Sequence, residues 1–142
     1  MPGRVRADRA TRLRGDDRGA AAVEFALLLP VVFLIIAGIV DFGTVFFTKI
    51  ELTNAAREGA RAAVTGSIVV DVQARALAAL PGVNGPSVPG PVVCPVPGVG
   101  TATVIVEAPA GWRLLKPALN LLGAGSALPT TLSAKAVMKC GG

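Results

Sequence analysis

A chain of 142 residues has room for one small domain, or for a membrane segment followed by a smaller domain, but not for two ordinary globular domains. Hydrophobic residues make up 52%, the mean hydropathy is +0.63 and charged residues are only 16%, below the roughly 25% of globular proteins, so membrane association is the first expectation. The formal charge of +5 lies mostly in residues 1–19, with six Arg against three Asp, which together with the lack of Tyr argues against a nucleic-acid surface, while the absence of His removes the common zinc ligand sets and His-based nucleophile pairs.

Residues 1–19, "MPGRVRADRATRLRGDDRG", are polar, Arg-rich and without hydrophobic periodicity, and read as a basic cytoplasmic leader, disordered or pressed against an anionic membrane surface. From Phe25 to Val40 there are sixteen uncharged residues, and accepting Asp41 extends the apolar run to Phe47, the roughly 20 residues that cross a bilayer as a helix. Because the Arg excess precedes this span of about 25–47, the positive-inside rule places the N-terminus in the cytoplasm and the C-terminal part outside. Pro30 lies within the run and Asp41 reads as a marker of the outer interface, with Thr44, Thr48 and Lys49.

The helix is expected to continue beyond the membrane. "TKIELTNAAREGARAAV" (Thr48 to Val64) holds good helix formers and no Pro, and Leu52, Ala56, Gly59 and Ala63 recur at helical spacing as a narrow stripe suited to close packing against another helix or the small domain. Arg57 and Arg61 flank Glu58 on a face that reads as solvated. Gly66 is the natural stop, giving one helix over 20–66 of nearly 70 Å, at about 1.5 Å per residue.

A shorter amphipathic helix is predicted over Ile68 to Leu80, ended by Pro81-Gly82. Residues 81–100 are dense in Pro and Gly, which forbids a regular helix or a central strand and predicts an extended loop, with Cys94 inside it. "TATVIVEA" (Thr101 to Ala108) is β-branched, and "TLSAKAVMKC" (Thr131 to Cys140) alternates Leu132, Ala134, Ala136 and Met138 with Ser133, Lys135, Val137 and Lys139, so a two-stranded antiparallel pairing follows. Trp112, Leu114, Leu115, Leu119, Leu121 and Leu122, between the strands, are expected to cover the sheet. The fold class is thus α+β: a long N-terminal transmembrane helix continuing into a small extracytoplasmic domain over 67–142 with a short antiparallel sheet. Cys94 and Cys140 are the only two Cys, and in a segment placed outside the cytoplasm an even count favours one disulfide over two free thiols. The six acids after residue 19 show no catalytic spacing, so no enzyme, cofactor or metal is expected.

One acid stands apart, because Glu24 lies just inside the apolar run, where a carboxylate is disfavoured by up to about 2.5–3.5 kcal/mol at the bilayer centre and by less near the interface. It either pairs with a cation or snorkels to the cytoplasmic headgroups. The segment from Arg18 to Arg61, "RGAAAVEFALLLPVVFLIIAGIVDFGTVFFTKIELTNAAREGAR", closely resembles TadE-like proteins, pseudopilins of the tight-adherence (Flp pilus) apparatus. Its parts come in the family's order: Gly before a small apolar tetrad, Glu-Phe, a Pro in the span, Asp-Phe-Gly, then Asn-Ala-Ala-Arg-Glu-Gly-Ala-Arg. "TLSAKAVMK" is also similar to the family's ending, whereas the loop with Cys94 and the terminal Cys140 depart from the pattern.

The resemblance implies that a prepilin peptidase cuts between Gly19 and Ala20, that Glu24 and Phe25 become positions five and six of the mature chain, and that Glu24 pairs with the new α-amino group of its own or a neighbouring helix during assembly. It implies a minor pilin whose partners are the peptidase, other pilin and pseudopilin subunits, inner-membrane Tad platform proteins and the lipid bilayer, with no nucleic acid. The rivals are an uncleaved single-pass signal-anchored protein, structural or receptor-like, and a secreted domain cut near Ala37 or Gly38. Against the latter, the apolar run exceeds the usual 7 to 15 residue h-region of about two turns to four.

Overall fold

The computed structural model describes residues 13–96 and 98–141, with side chains from residue 19 onwards. The chain divides into two compact units, 1–39 and 40–142, so the domain core recruits the second half of the long helix. That helix, α1, runs from Leu13 to Val64 and passes through Pro30 without ending. It therefore starts before Ala20. Extending an existing helix adds one hydrogen bond per residue fixed, which carries α1 through Gly15, Asp16 and Asp17 despite their low helix propensity. The expectation of an irregular leader over 1–19 is corrected for residues 13–19, which are helical, while residues 1–12 lie outside the described residues.

Past its last turn α1 ends on Gly66, at φ +88°, where Ser67 N donates back to Ala62 O at 3.3 Å. A side chain would strain this left-handed position, and the bond across it satisfies one of the carbonyls a helix end leaves open. α2 follows over Val69–Ala78, and its apolar face is small: Val72 and Ala76 are fully buried while Ile68, Val69 and Val70 stay exposed.

β1 (Thr101–Pro109) and β2 (Thr131–Lys139) form a two-stranded antiparallel sheet. Val104 faces Ala136 and Val106 faces Ala134, so the period-two alternation of both strands directs one set of side chains to the core. A two-stranded sheet is marginal alone and needs a helix against its apolar face. Here that cover comes from α1 and α2: Leu52, Ala55, Ala56, Ala60 and Ala63 of α1 cluster with Val72 and Ala76 of α2 and with Ala102, Val104 and Val106 of β1.

The Pro/Gly-rich segment is extended yet engaged. Ser87 exchanges both backbone hydrogen bonds with Glu107 at 2.8 Å, and Val92 does so with Thr103 at 2.8 and 2.9 Å, which closes the free edge of β1 without a continuous strand. Gln73 Nε2 donates to Val88 O at 2.9 Å, joining this segment to α2. A disulfide between Cys94 and Cys140 ties it to the end of β2 across 46 residues of sequence.

The expectation that the segment between the strands covers the sheet is corrected. α3 (Leu115–Leu121) buries none of its residues, and Leu114, Leu121 and Leu122 are exposed. The sheet's core face is already filled by small residues of α1 and α2, which leaves no apolar surface for a third layer of leucines. α3 is held at α1 instead.

Candidate functional site

In the first unit the surface of α1 is apolar nearly all round. Val23, Phe25, Leu27, Leu28, Phe33 and Ile39 are each more than half exposed, as expected of a helix whose cover is lipid or other helices. From Gly19 to Val64 it is long and apolar enough to cross a membrane. Gly19 and Ala20 are exposed and lie within the helix, and a Cβ added at Gly19 would meet nothing within 4 Å. Glu24 and Phe25 are exposed as well, and Ala20 lies one helical turn before Glu24, the spacing at which side chains become neighbours.

In the second unit one stripe of α1 faces the small domain. Leu52, Ala56 and Ala63 are fully buried, and Gly59 stands where α1, α2 and β1 meet. A Cβ at Gly59 would lie 3.0 Å from Val104 Cγ1 and 3.1 Å from Ala76 Cβ. The stripe thus packs within the chain, against its own domain.

Followed towards the N-terminus, the same three- and four-residue spacing passes through Thr48 and Val45 to Asp41. Asp41 is fully buried within the second unit. Its Oδ2 accepts hydrogen bonds from Leu114 N at 2.9 Å and Leu115 N at 2.7 Å, while Oδ1 is buried with no partner among the described residues. α3 needs this partner because Gly111, Trp112, Arg113 and Leu114 supply no side-chain cap of their own. Pro117 carries no N–H, so Asp41 satisfies two of the few free donors at this helix start.

A second contact reinforces the first. The Trp112 ring meets Phe42 edge to face at 5.4 Å between centroids, and its Nε1 donates to Pro129 O at 2.7 Å. Thr44 and Thr48 bond back to α1 carbonyls, and Lys49 donates to Ser133 O. Asp41 and Trp112 together form a collar on α1 that periodicity over 48–64 alone does not reach. The signal available in the sequence was the continuation of the stripe through Asp41, Val45 and Thr48; its partner, more than seventy residues away, left none.

Among the described residues no group of three or more His, Cys, Asp or Glu is placed to hold a metal. A shallow cleft of about 230 Å³ is lined by Glu58, Arg61, Ala62, Thr65 and Arg75.

The family model for TadE-like protein matches residues 19–61. This chain carries a TadE-like segment. The TadE-like match opens at Gly19 and closes at Arg61, so it takes in Glu24, the apolar helix, Asp41 and the stripe as far as Gly59, and leaves out α2, the sheet and α3. A TadE-like segment relates the chain to pilin-like structural proteins associated with Tad pili, and the helix that bears it suits a single-pass membrane anchor. No curated protein and no solved structure matches the chain.

Proposed function

We propose that the chain is a minor pilin or pseudopilin of a tight-adherence, Flp-type pilus apparatus. It enters the cytoplasmic membrane through α1 with the Arg-rich leader inside and the small domain outside, and a prepilin peptidase removes residues 1–19. The mature helix then remains in the bilayer or joins a filament through the exposed apolar surface of its first half, with platform proteins and other pilin subunits as partners. The observation that carries this reading is the family match beginning at the proposed cut, Gly19, and running through Glu24 along an apolar helix.

Cleavage would give Ala20 an α-amino group of ordinary pKa near 8, charged at neutral pH and one turn from the Glu24 carboxylate. The acid then has a partner on its own helix or on the next subunit. The test is the intact mass of protein extracted from membranes that contain the peptidase: a mature species beginning at Ala20 is expected. The full-length mass would favour the uncleaved signal-anchor reading, and a start near Ile39 an ordinary secreted domain.

A further inference from the structure

We infer that Trp112–Leu122 is a second membrane-contacting element, lying in the interfacial layer of the leaflet on the domain side, with Leu114, Leu121 and Leu122 at the acyl-chain boundary. The inference rests on reading α1 as a membrane anchor and adds a lipid-binding surface outside the TadE-like segment.

Three observations carry it. The first is exposure: Leu121 is 90% exposed and Leu122 66%, on a helix with no buried residue that is nonetheless fixed in place at its N-terminus. Contiguous apolar surface of this kind marks an interaction site. The second is continuity with the anchor. Asp41 ties the start of α3 to a level of α1 beyond which Phe42, Phe46, Phe47 and Ile50 are still exposed, and Ile50 is nine residues, or about 13 Å, further along the helix. With the hydrocarbon ending near Phe47, the expected end of the span, the collar at Asp41 lies about two helical turns from that edge, next to the interfacial layer.

The third observation is charge. No Asp or Glu follows Glu107, whereas Arg113 and Lys116 stand among the leucines of this segment. Long cationic side chains lay their stems on apolar surface and place their charge at headgroup phosphates, and Trp is enriched at the same depth. "WRLLKPALNLL" thus has a composition that suits an interface and meets little welcome in water or deep hydrocarbon. Capping by Asp41 serves the same end, because a helix start near hydrocarbon cannot leave its N–H groups to water.

The test uses the full chain in nanodiscs of phosphatidylcholine and phosphatidylglycerol, one copy per disc, without reductant so that the native disulfide stays closed. Leu121→Cys carries a nitroxide on an already exposed side chain, with Ile36→Cys in the apolar helix and Asp71→Cys on exposed α2 as references. Collision rates with oxygen, which concentrates in lipid, are compared with those of a water-soluble nickel chelate. The oxygen-to-nickel ratio at Leu121 is expected to exceed that at Asp71 several-fold. A ratio equal to that of Asp71, with Ile36 still lipid-like, would overturn the inference and leave the anchor standing. Poor access to both reagents at Leu121 would mean a protein cover and would overturn it too, whereas a water-like Ile36 would remove the anchor reading itself.

Discussion

Substitution at Gly59 tests the packing on which the small domain depends. Its position leaves no slack: the added Cβ of Gly59→Ala would sit 3.0 Å from Val104 Cγ1 and 3.1 Å from Ala76 Cβ, and both neighbours are fully buried. Two terms oppose each other. Ala is favoured over Gly in a helix interior by about 1 kcal/mol, whereas overpacking a filled core costs about 1–3 kcal/mol, so Gly59→Ala should be destabilising by about 0–2 kcal/mol net. Gly59→Leu adds three further carbons to the same place and should cost at least about 3 kcal/mol, at the upper end of overpacking penalties. For a unit of this size each kcal/mol moves the midpoint by roughly 4–8 °C, so Leu should lower it by more than about 10 °C. The assay is thermal unfolding of detergent-solubilised full-length protein, followed by trypsin resistance of the domain and by fluorescence of Trp112, the chain's one tryptophan. A companion variant checks the cause. Val104→Ala removes the carbon that the new Cβ would strike, so Gly59→Ala combined with Val104→Ala should be less damaging than the sum of the two, by about 1 kcal/mol. A Gly59→Leu protein that unfolds at the wild-type temperature with unaltered trypsin resistance would refute the three-way packing of α1, α2 and β1.

Further outcomes are expected elsewhere. Reducing the Cys94–Cys140 bond, or replacing both residues by Ser, frees a loop of 46 residues and should cost about 4 kcal/mol by chain entropy, read as a lower midpoint of the domain; an unchanged midpoint would refute this. Asp41→Ala strips Leu114 N and Leu115 N of their acceptor, at up to about 1 kcal/mol for each part-buried donor left open, and should raise amide exchange over α3 while the sheet stays protected; unaltered exchange over α3 would count against the collar. Gly19→Val meets no neighbour within 4 Å, so it should fold and insert normally yet retain its leader by mass. Glu24→Gln, cheaper to bury than the acid, should insert and be cleaved but fail to co-purify with pilus components; normal assembly would favour simple snorkelling.

What the sequence revealed and what it concealed follow from the range of the interactions. α2, both strands and the C-terminal end of α1 rest on local signals and lie within a few residues of the expected ends because Gly66, Pro81 and the β-branched runs punctuate the chain locally, whereas α1 begins at Leu13, seven residues before the expected start. The alternation of β1 likewise places Val104 and Val106 in the core. Asp41 could not be understood this way. A lone acid in an apolar run resembles a boundary marker unless its partner is known, and that partner is a pair of backbone N–H groups, which every sequence contains and none advertises. The leucines of 114–122 were assigned to the sheet by composition, although the alanines and Gly59 of α1 let the helix backbone approach so closely that no third layer fits. Gly19, Ala20, Glu24 and Phe25 owe their proposed roles to the family resemblance, since each is exposed.

The position of Glu24 gains a physical rationale when the start of α1 is set beside the proposed cut. In the uncut chain the helix begins at Leu13, so Glu24 lies about three turns inside it, where the helix dipole has little local effect. Cleavage between Gly19 and Ala20 would make Ala20 the new helix start. Glu24 would then stand in or next to the first turn, near free N–H groups and a cationic amine, and an acid near a helix N-terminus is stabilised by roughly 0.3–1 kcal/mol before any pairing with the amine. One hydrolysed peptide bond would therefore turn an acid that burdens insertion into one matched to its surroundings. On the proposed orientation the same step would remove the six leader Arg, whose charge favours an anionic membrane surface. On this reading maturation does two things at once: it releases the helix from the headgroups, and it supplies the charge that lets Glu24 enter an apolar helix assembly.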